Sequence, residues 1–236
     1  MKVLVSVVNL KEAMDALNAD VDIIDVKNPS EGALGANFPW VLSEIQRYVG
    51  GRAEVSATIG DLPYLPGTAS LAALGAASCG VDYVKVGLFG PKNPKEASRM
   101  IKTISKSLKG YKSKVIAAGY ADYFKYGCVN PLELPQYVAN ADGAGILIDV
   151  KEKNENGLFH YFTTDRLKRF VREAHEYGLT VALAGHLGIG DVAKVYEVGA
   201  DIIGVRRSVC KIVNNGRVRL DKDLVKELID VVRRFS

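Results

Sequence analysis

The sequence has little cysteine and no long apolar run. Its three cysteines, Cys79, Cys128 and Cys210, are widely spaced and lie outside any CxxC or Cys/His pattern. We therefore expect neither a disulfide framework nor a zinc site, and a reducing cytoplasm fits best. No apolar stretch reaches the ~18 residues of a membrane span, and the opening MKVLVSVVN is too short an apolar run for a signal peptide. We expect a cytoplasmic protein with no membrane partner.

The net charge is also small. The 31 Lys and Arg residues exceed the 27 Asp and Glu residues by four, giving +4. This excess is too small and too scattered for a nucleic-acid surface, although it suits anionic small substrates. A chain of 236 residues that is 48% hydrophobic can bury a core without a metal or disulfide. We expect one domain over residues 1–236, with no metal and no cofactor, in a homo-oligomer whose size the sequence leaves open.

What the sequence has instead is a regular alternation of two patterns. Apolar segments of strand length begin near residues 3, 21, 53, 83, 114, 143, 180 and 201, and a segment with helical spacing follows each. The helices are predicted at 10–18, 38–48, 67–79, 94–108, 131–139, 163–177, 189–197 and 221–234. Eight such units with no change in composition predict an α/β fold, a (β/α)8 TIM barrel with a closed parallel sheet of eight strands. A doubly wound open sheet is the alternative.

Charged side chains interrupt three of the predicted strands. Asp25 and Lys27 in VDIIDVKNP share one face near the end of the second strand, and Lys85 interrupts the fourth. Asp149 and Lys151 in GILIDVKEK repeat the first pair at the end of the sixth strand. Alternate strands of a barrel supply the same interior layers, so we expect these five side chains to converge. Burying an ammonium group is costly unless it is paired or deprotonated, which indicates a cluster with a function.

Clustered lysines suit carbonyl chemistry. A desolvated lysine beside other cations loses its proton more readily and can attack a carbonyl to form an iminium. The iminium acidifies the neighbouring carbon, while a second amine or a carboxylate moves protons. Asp25 is predicted to orient Lys27 or relay its proton. The alternative is that Asp25 with Lys27, and Asp149 with Lys151, are structural ion pairs; against it, Lys85 has no acidic neighbour on its own face of the strand.

Glycine-containing segments follow the last two predicted strands. Loops at these positions of a barrel commonly bind phosphate through backbone N–H groups, and arginine adds a bidentate contact. The segments are VALAGHLGIGDVAKV and DIIGVRRSVC. The candidate phosphate-binding residues are Gly185, His186, Gly188, Gly204, Arg206 and Arg207. His186 could also act as a general acid, or be an ordinary histidine at the rim.

Five motifs together resemble one enzyme family over essentially the whole chain. They are IIDVKNPSEGALGANFPW, DYVKVGLFG, ADGAGILID, ALAGHLG and GVRRSVC. The family is (5-formylfuran-3-yl)methyl phosphate synthase, also called 4-(hydroxymethyl)-2-furancarboxaldehyde-phosphate synthase. DVKNPSEGALGA is specific to it and not general to barrels.

This resemblance implies a fold, a reaction and two residue roles. The fold is a class I aldolase-like barrel, found in methanogenic archaea and some methylotrophic bacteria. The reaction is a lyase-type condensation of two glyceraldehyde 3-phosphate molecules into a phosphorylated furan aldehyde, with loss of phosphate and water, early in methanofuran biosynthesis. The resemblance makes Lys27 the Schiff-base lysine and Lys85 the proton acceptor. From their placement, we expect Asp149 and Lys151 to stabilise the leaving phosphate or a developing oxyanion.

Two alternatives to this function remain. Another class I aldolase, or a sugar-phosphate isomerase, could use the same phosphate-binding barrel. A non-catalytic barrel that binds a phosphorylated metabolite is the alternative from a different class. Three inward-facing lysines exceed what binding a single phosphate requires, which favours catalysis.

Overall fold

The core of the fold is a closed parallel barrel of eight strands. A computed structural model describes residues 1–152, 156–213 and 217–235. Each strand pairs with the next in sequence and the eighth pairs with the first, which confirms the predicted barrel and excludes the open sheet. The strands are β1 Lys2–Val7, β2 Ile23–Val26, β3 Glu54–Asp61, β4 Tyr83–Gly87, β5 Lys114–Tyr120, β6 Gly145–Asp149, β7 Thr180–Leu183 and β8 Ile202–Val205.

Helices surround the barrel and cover its outer face. The helix α4 is amphipathic: it buries Ala97, Met100, Ile101 and Ile104, a spacing that places them on one side of a helix. The helices are α1 Leu10–Leu17, α2 Pro39–Val49, α3 Pro66–Ser78, α4 Pro94–Ser107, α5 Tyr123–Tyr126, α6 Pro135–Ala139, α7 Leu158–Tyr161, α8 Thr164–Glu176, α9 Val192–Val198 and α10 Lys222–Arg233. Within the described ranges, none of them is both long and apolar enough to cross a membrane.

Two of the predicted helices begin as a 3-10 turn. Residues 131–139 form a turn over Pro131–Glu133 followed by the short α6. Pro135 has no N–H to donate to the preceding turn, so a continuous α-helix is disfavoured there. Residues 189–197 likewise form a 3-10 turn over Ile189–Asp191 before α9.

Within the described residues, and besides the 3-10 turns at Pro29–Glu31 and Arg207–Val209, three features were not predicted, because each is too short to show a period. Two are the single-turn helices α5 and α7. The third is an antiparallel hairpin between β8 and α10, made of β9 Cys210–Val213 and β10 Arg217–Leu220. Its sequence signal is the Asn-Gly pair at 215–216, which lies outside the described residues and is typical of a hairpin turn.

The lower interior of the barrel, at the amino ends of the strands, is packed with side chains. Leu4, Ile23, Tyr83 and Ile116 line a residual space of about 30 Å³ there. The Tyr83 hydroxyl donates to Glu54 at 2.7 Å, and burial together with Glu54 raises the pKa of Tyr83 to about 12. The phenol therefore stays protonated. This packed layer forms the floor beneath the functional site.

Candidate active site

A cavity of about 530 Å³ lies at the carboxyl ends of the strands. This end of a TIM barrel is where active sites are built. The five charged residues predicted to converge all line it: Asp25, Lys27, Lys85, Asp149 and Lys151. In the part of the chain that the structure describes, no group of three or more His, Cys, Asp or Glu side chains is arranged to hold a metal ion.

The most buried charged residues of the cavity, Asp25 on β2 and Lys85 on β4, form an ion pair. Lys85 Nζ lies 2.7 Å from Asp25 Oδ1, and the two side chains are 3% and 0% exposed. Ser56 and Ser6 donate to the same carboxylate at 2.6 and 3.0 Å. Asp25 was predicted to orient Lys27 or relay its proton, and the structure adds Lys85 as an ion-pair partner of the same carboxylate. The strand pattern placed Asp25 and Lys27 on one face, but it could not show that Lys85 reaches the same carboxylate from β4.

The charge state of Asp25 follows from these contacts. Burial alone would raise the pKa of this carboxyl. The ammonium groups of Lys85 and Lys27, with hydrogen bonds from Lys85 and Ser56, outweigh burial and hold the pKa of Asp25 below its usual 3.8. Asp25 is thus ionised at neutral pH, and it interacts electrostatically with both lysines.

Lys27 extends from the end of β2 into the cavity beside a constrained loop. Its side chain is buried, and its Nζ donates to the Ala33 carbonyl at 3.3 Å. The Thr58 hydroxyl donates to the Gly35 carbonyl at 2.6 Å, and the Asn37 amide donates back to the Lys27 carbonyl at 3.3 Å. The loop after β2 therefore holds the lysine against the cavity wall.

Lys151 reaches the cavity from just beyond β6. Its Nζ lies 3.0 Å from Asp61 Oδ2 and 5.2 Å from the centre of the Phe89 ring. Asp149 Oδ1 instead accepts the N–H of Val150 at 2.7 Å. The alternative of an ion pair between Asp149 and Lys151 is therefore not realised, because the acid at the end of β3 lies closer to the ammonium.

Asp61 is the principal residue that the sequence analysis missed. It is buried to 7% side-chain exposure and accepts hydrogen bonds from the Tyr120 hydroxyl and from the N–H groups of Ala33 at 2.9 Å and Leu34 at 3.3 Å. Its sequence signal is the one that identified Asp25 and Asp149, an acidic residue at the end of an apolar strand.

Gly87 makes room for this Asp61 and Tyr120 contact. A Cβ at Gly87 would overlap the Tyr120 hydroxyl and lie 2.8 Å from the Gly60 carbonyl oxygen and 3.0 Å from Asp61 Oδ1. We expect Gly87→Ala to lower the free energy of unfolding by about 1–3 kcal/mol through overpacking. The measurement is urea unfolding.

The matched control for this prediction is Gly75→Ala, near the carboxyl end of α3. No heavy atom lies within 4 Å of a Cβ built there. Alanine should stabilise the helix by about 0.5–1 kcal/mol relative to glycine. Equal effects at residues 87 and 75 would contradict the steric account.

The end of β8 and the loops after β7 and β8 supply another part of the wall. Gly185, His186, Gly204 and Arg207 line the cavity, whereas Gly188 does not. The N–H of Gly188 instead donates to the Asp191 carboxylate at 3.1 Å, so the predicted phosphate contact of Gly188 is not supported by its position. The two loops are tied together by a hydrogen bond of 2.7 Å from the Ser208 hydroxyl to the Leu187 carbonyl.

Arg206 lines the cavity but its guanidinium is engaged by the protein. Nη1 and Nη2 form a bidentate pair with the buried carboxylate of Glu12, with Nη2 at 3.1 Å from Oε1. Nη1 also donates to the Ser6 carbonyl at 2.9 Å. The guanidinium that was expected to bind a phosphate in bidentate fashion is therefore bound to Glu12 instead. Glu12 lies on the inner face of α1, and the sequence pattern did not identify it as a partner.

The closed barrel gathers lysines and aspartates at the carboxyl ends of its strands, which is where TIM-barrel enzymes place their active sites. The solved structure of 3-hexulose-6-phosphate synthase from Salmonella typhimurium matches it with a TM-score of 0.70 over 100% of both chains, at 16% identity. A family model described as 4-HFC-P synthase matches residues 3–229. The chain belongs to this family.

Two relatives extend the match to full length. The (5-formylfuran-3-yl)methyl phosphate synthase of Archaeoglobus fulgidus is 46% identical over 235 residues, covering 98% of this chain and 99% of the relative. The protein of the same name from Methanococcus maripaludis strain C5 is 44% identical over 235 residues, 99% of this chain and 100% of its own. The family expected from the sequence motifs is confirmed.

Proposed function

We propose that the protein condenses two molecules of glyceraldehyde 3-phosphate into (5-formylfuran-3-yl)methyl phosphate, releasing inorganic phosphate and water, as an early step of methanofuran biosynthesis. The observation that carries this proposal is the convergence of Lys27, Lys85 and Lys151 in one cavity of about 530 Å³. A volume of this size is typical of small-molecule sites. The full-length relatives bear the name of the product.

Lys27 is the proposed nucleophile. Its amine attacks the aldehyde carbon of one substrate, and loss of water from the adduct gives an iminium. Loss of a proton from the neighbouring carbon then gives an enamine, which adds to the carbonyl of the second substrate. Ring closure by a substrate oxygen at the iminium carbon releases the Lys27 amine, and loss of one phosphate and a second water completes the furan. The burial of Lys27 and its contact with the Ala33 carbonyl keep the amine at a fixed point of the wall.

Lys85 and Asp25 are the proposed proton-transfer pair. They are 2.7 Å apart and nearly inaccessible to solvent, so a proton can pass between substrate and pair without exchange with bulk water. The hydroxyls of Ser6 and Ser56 donate to the Asp25 carboxylate. These hydrogen bonds fix the position of the pair relative to Lys27.

The phosphate groups of the substrates are proposed to bind on the side of the cavity formed by β7, β8 and the loops that follow them. Gly185, His186, Gly204 and Arg207 are proposed to bind one phosphate, with Arg206 contributing only through its main chain. Lys151 and Asp149 lie between this wall and Lys85 along the barrel. Lys151 is proposed to stabilise the departing phosphate or an oxyanion.

Product analysis tests the proposal. The protein is incubated with glyceraldehyde 3-phosphate, and the mixture is analysed by mass spectrometry and assayed for free phosphate. We expect the furan phosphate and an equimolar amount of inorganic phosphate. A sugar bisphosphate would indicate a simpler aldolase, dihydroxyacetone phosphate an isomerase, and binding without turnover a non-catalytic barrel; each of these results refutes the proposal.

A further inference from the structure

The end of β3 is built around one carboxylate. The pairing of β3 with β4 shifts register between Thr58 and Asp61, so that β3 carries one extra residue, and Gly60 within it has a φ of +113°. Such a bulge re-aims the side chain that follows it and is common beside active sites. Here it directs Asp61 towards the cavity wall, where Lys151 lies.

Two glycines, which have no side chain, lie directly against the Asp61 carboxylate. A Cβ at Gly32, whose φ is +135°, would overlap Asp61 Oδ2, and a Cβ at Gly87 would approach Asp61 Oδ1. Glycine is therefore required at both positions for the carboxylate to sit where it does. A surface aspartate that merely solvated a strand end would need neither.

The partners of Asp61 come from several parts of the barrel. Lys151 follows β6, Tyr120 ends β5, and Ala33 and Leu34 belong to the loop after β2. Burial and the Asp61 charge raise the pKa of Tyr120 well above its ordinary value, so its hydroxyl remains a donor. The main chain of Ala33 links Asp61 to Lys27, because its N–H donates to the Asp61 carboxylate and its carbonyl accepts from Lys27 Nζ.

We propose that Asp61 is a positioning residue of the active site, which holds the Lys151 ammonium in the cavity wall, where this lysine is proposed to stabilise the departing phosphate or an oxyanion. This inference rests on the proposed function and deepens it. Asp61 itself does not line the cavity, so it acts on the reaction through the residues that it contacts, and Lys151 is the charged cavity residue among them. Loss of the carboxylate frees the flexible lysine, and misplacement of a charged group by about 1 Å costs up to about 100-fold in rate.

A double-mutant cycle tests this inference. The variants are Asp61→Asn, Lys151→Met and the two combined, and the readouts are kcat and KM for glyceraldehyde 3-phosphate. We expect each single variant to lose up to about 100-fold in kcat/KM, with part of the loss in KM because the ammonium also contacts the bound phosphate. The combined variant should be no worse than Lys151→Met alone. Multiplication of the two losses would mean that Asp61 acts independently of Lys151, and would overturn the inference.

The controls separate this inference from folding and from the proposed function. Glu197→Gln removes the carboxylate of the exposed Lys168–Glu197 pair, whose length is 2.6 Å, and should leave kcat/KM unchanged. If Asp61→Asn does not fold, Tyr120→Phe takes its place: it keeps the carboxylate but removes a hydroxyl that orients it, and its loss must vanish in the Lys151→Met background. If the wild-type protein makes no furan phosphate, the proposed function fails. The same cycle is then run on the Kd for glyceraldehyde 3-phosphate, where additive losses would again overturn the role of Asp61.

Discussion

Replacing Lys27 by alanine is expected to abolish both product formation and the borohydride trapping of substrate on the protein. The iminium requires a primary amine, and alanine offers none at this point of the wall. We expect kcat/KM to fall by at least about 10⁴-fold, as when a covalent nucleophile is removed from other enzymes. Mass spectrometry of the reduced, digested protein provides the measurement, with the adduct on the peptide that contains Lys27 in the wild type.

The control is Lys95→Ala, because Lys95 is an exposed lysine on α4, away from the cavity lining. It should retain full activity and full trapping. An adduct found on Lys85 in the wild type, or trapping that persists on Lys85 in the variant, would mean that the roles of the two lysines must be exchanged. An adduct on neither lysine would remove the iminium from the mechanism.

The barrel, and the charged residues that line its cavity from the strands, were predictable from the sequence because both depend on local periodicity. Strand parity fixes which side chains enter the interior, and the order of strands fixes that their ends meet at one rim. Asp25, Lys85 and Asp149 could therefore be assigned to one cavity without knowledge of any contact. The observed lining contains all three.

The pairing of charges was not predictable, because it depends on strand stagger and on local irregularities of the sheet. In the barrel, Ser6, Asp25 and Ser56 lie side by side on β1, β2 and β3, and Lys85 approaches the same carboxylate from β4. The bulge in β3 then turns Asp61 towards Lys151. A one-residue irregularity of this kind leaves no trace in hydrophobic periodicity, although it determines the partner of the third lysine.

Phosphate-loop residues illustrate a second limit. Glycine and arginine after the last strands correctly indicated the wall of the cavity, yet Arg206 is paired with Glu12 and Gly188 donates to Asp191. Glu12 lies on α1, outside both glycine-containing segments. Asp191 lies inside one of them, but the phosphate motif does not specify the residue at that position. A motif predicts where the backbone runs, while the hydrogen-bond partners of its side chains depend on what the rest of the fold brings nearby.

Asp25→Asn is expected to destabilise the protein strongly, since it leaves the Lys85 ammonium buried without its counter-ion. Removing one partner of a buried pair costs about 3–5 kcal/mol, whereas Glu197→Gln, which breaks an exposed pair of similar length, should change the stability little because solvent screens that pair. Urea unfolding at neutral pH provides both values. Similar losses for the two variants would contradict the buried ion pair.

The pH dependence gives an independent check on the same pair. Because the pKa of Asp25 is lower in the folded protein than its ordinary 3.8, the carboxylate contributes stability that is fully present above that value and is lost as the pH falls through the folded pKa. The stability difference between wild type and Asp25→Asn should therefore be constant from neutral pH to about pH 5 and narrow below 3.8. Adding Lys85→Met to Asp25→Asn should recover part of the lost stability, because it removes the uncompensated charge. A double variant that is less stable than Asp25→Asn by the full cost of Lys85→Met would show that the two charges do not interact, and the proton-transfer pair would then have no structural basis.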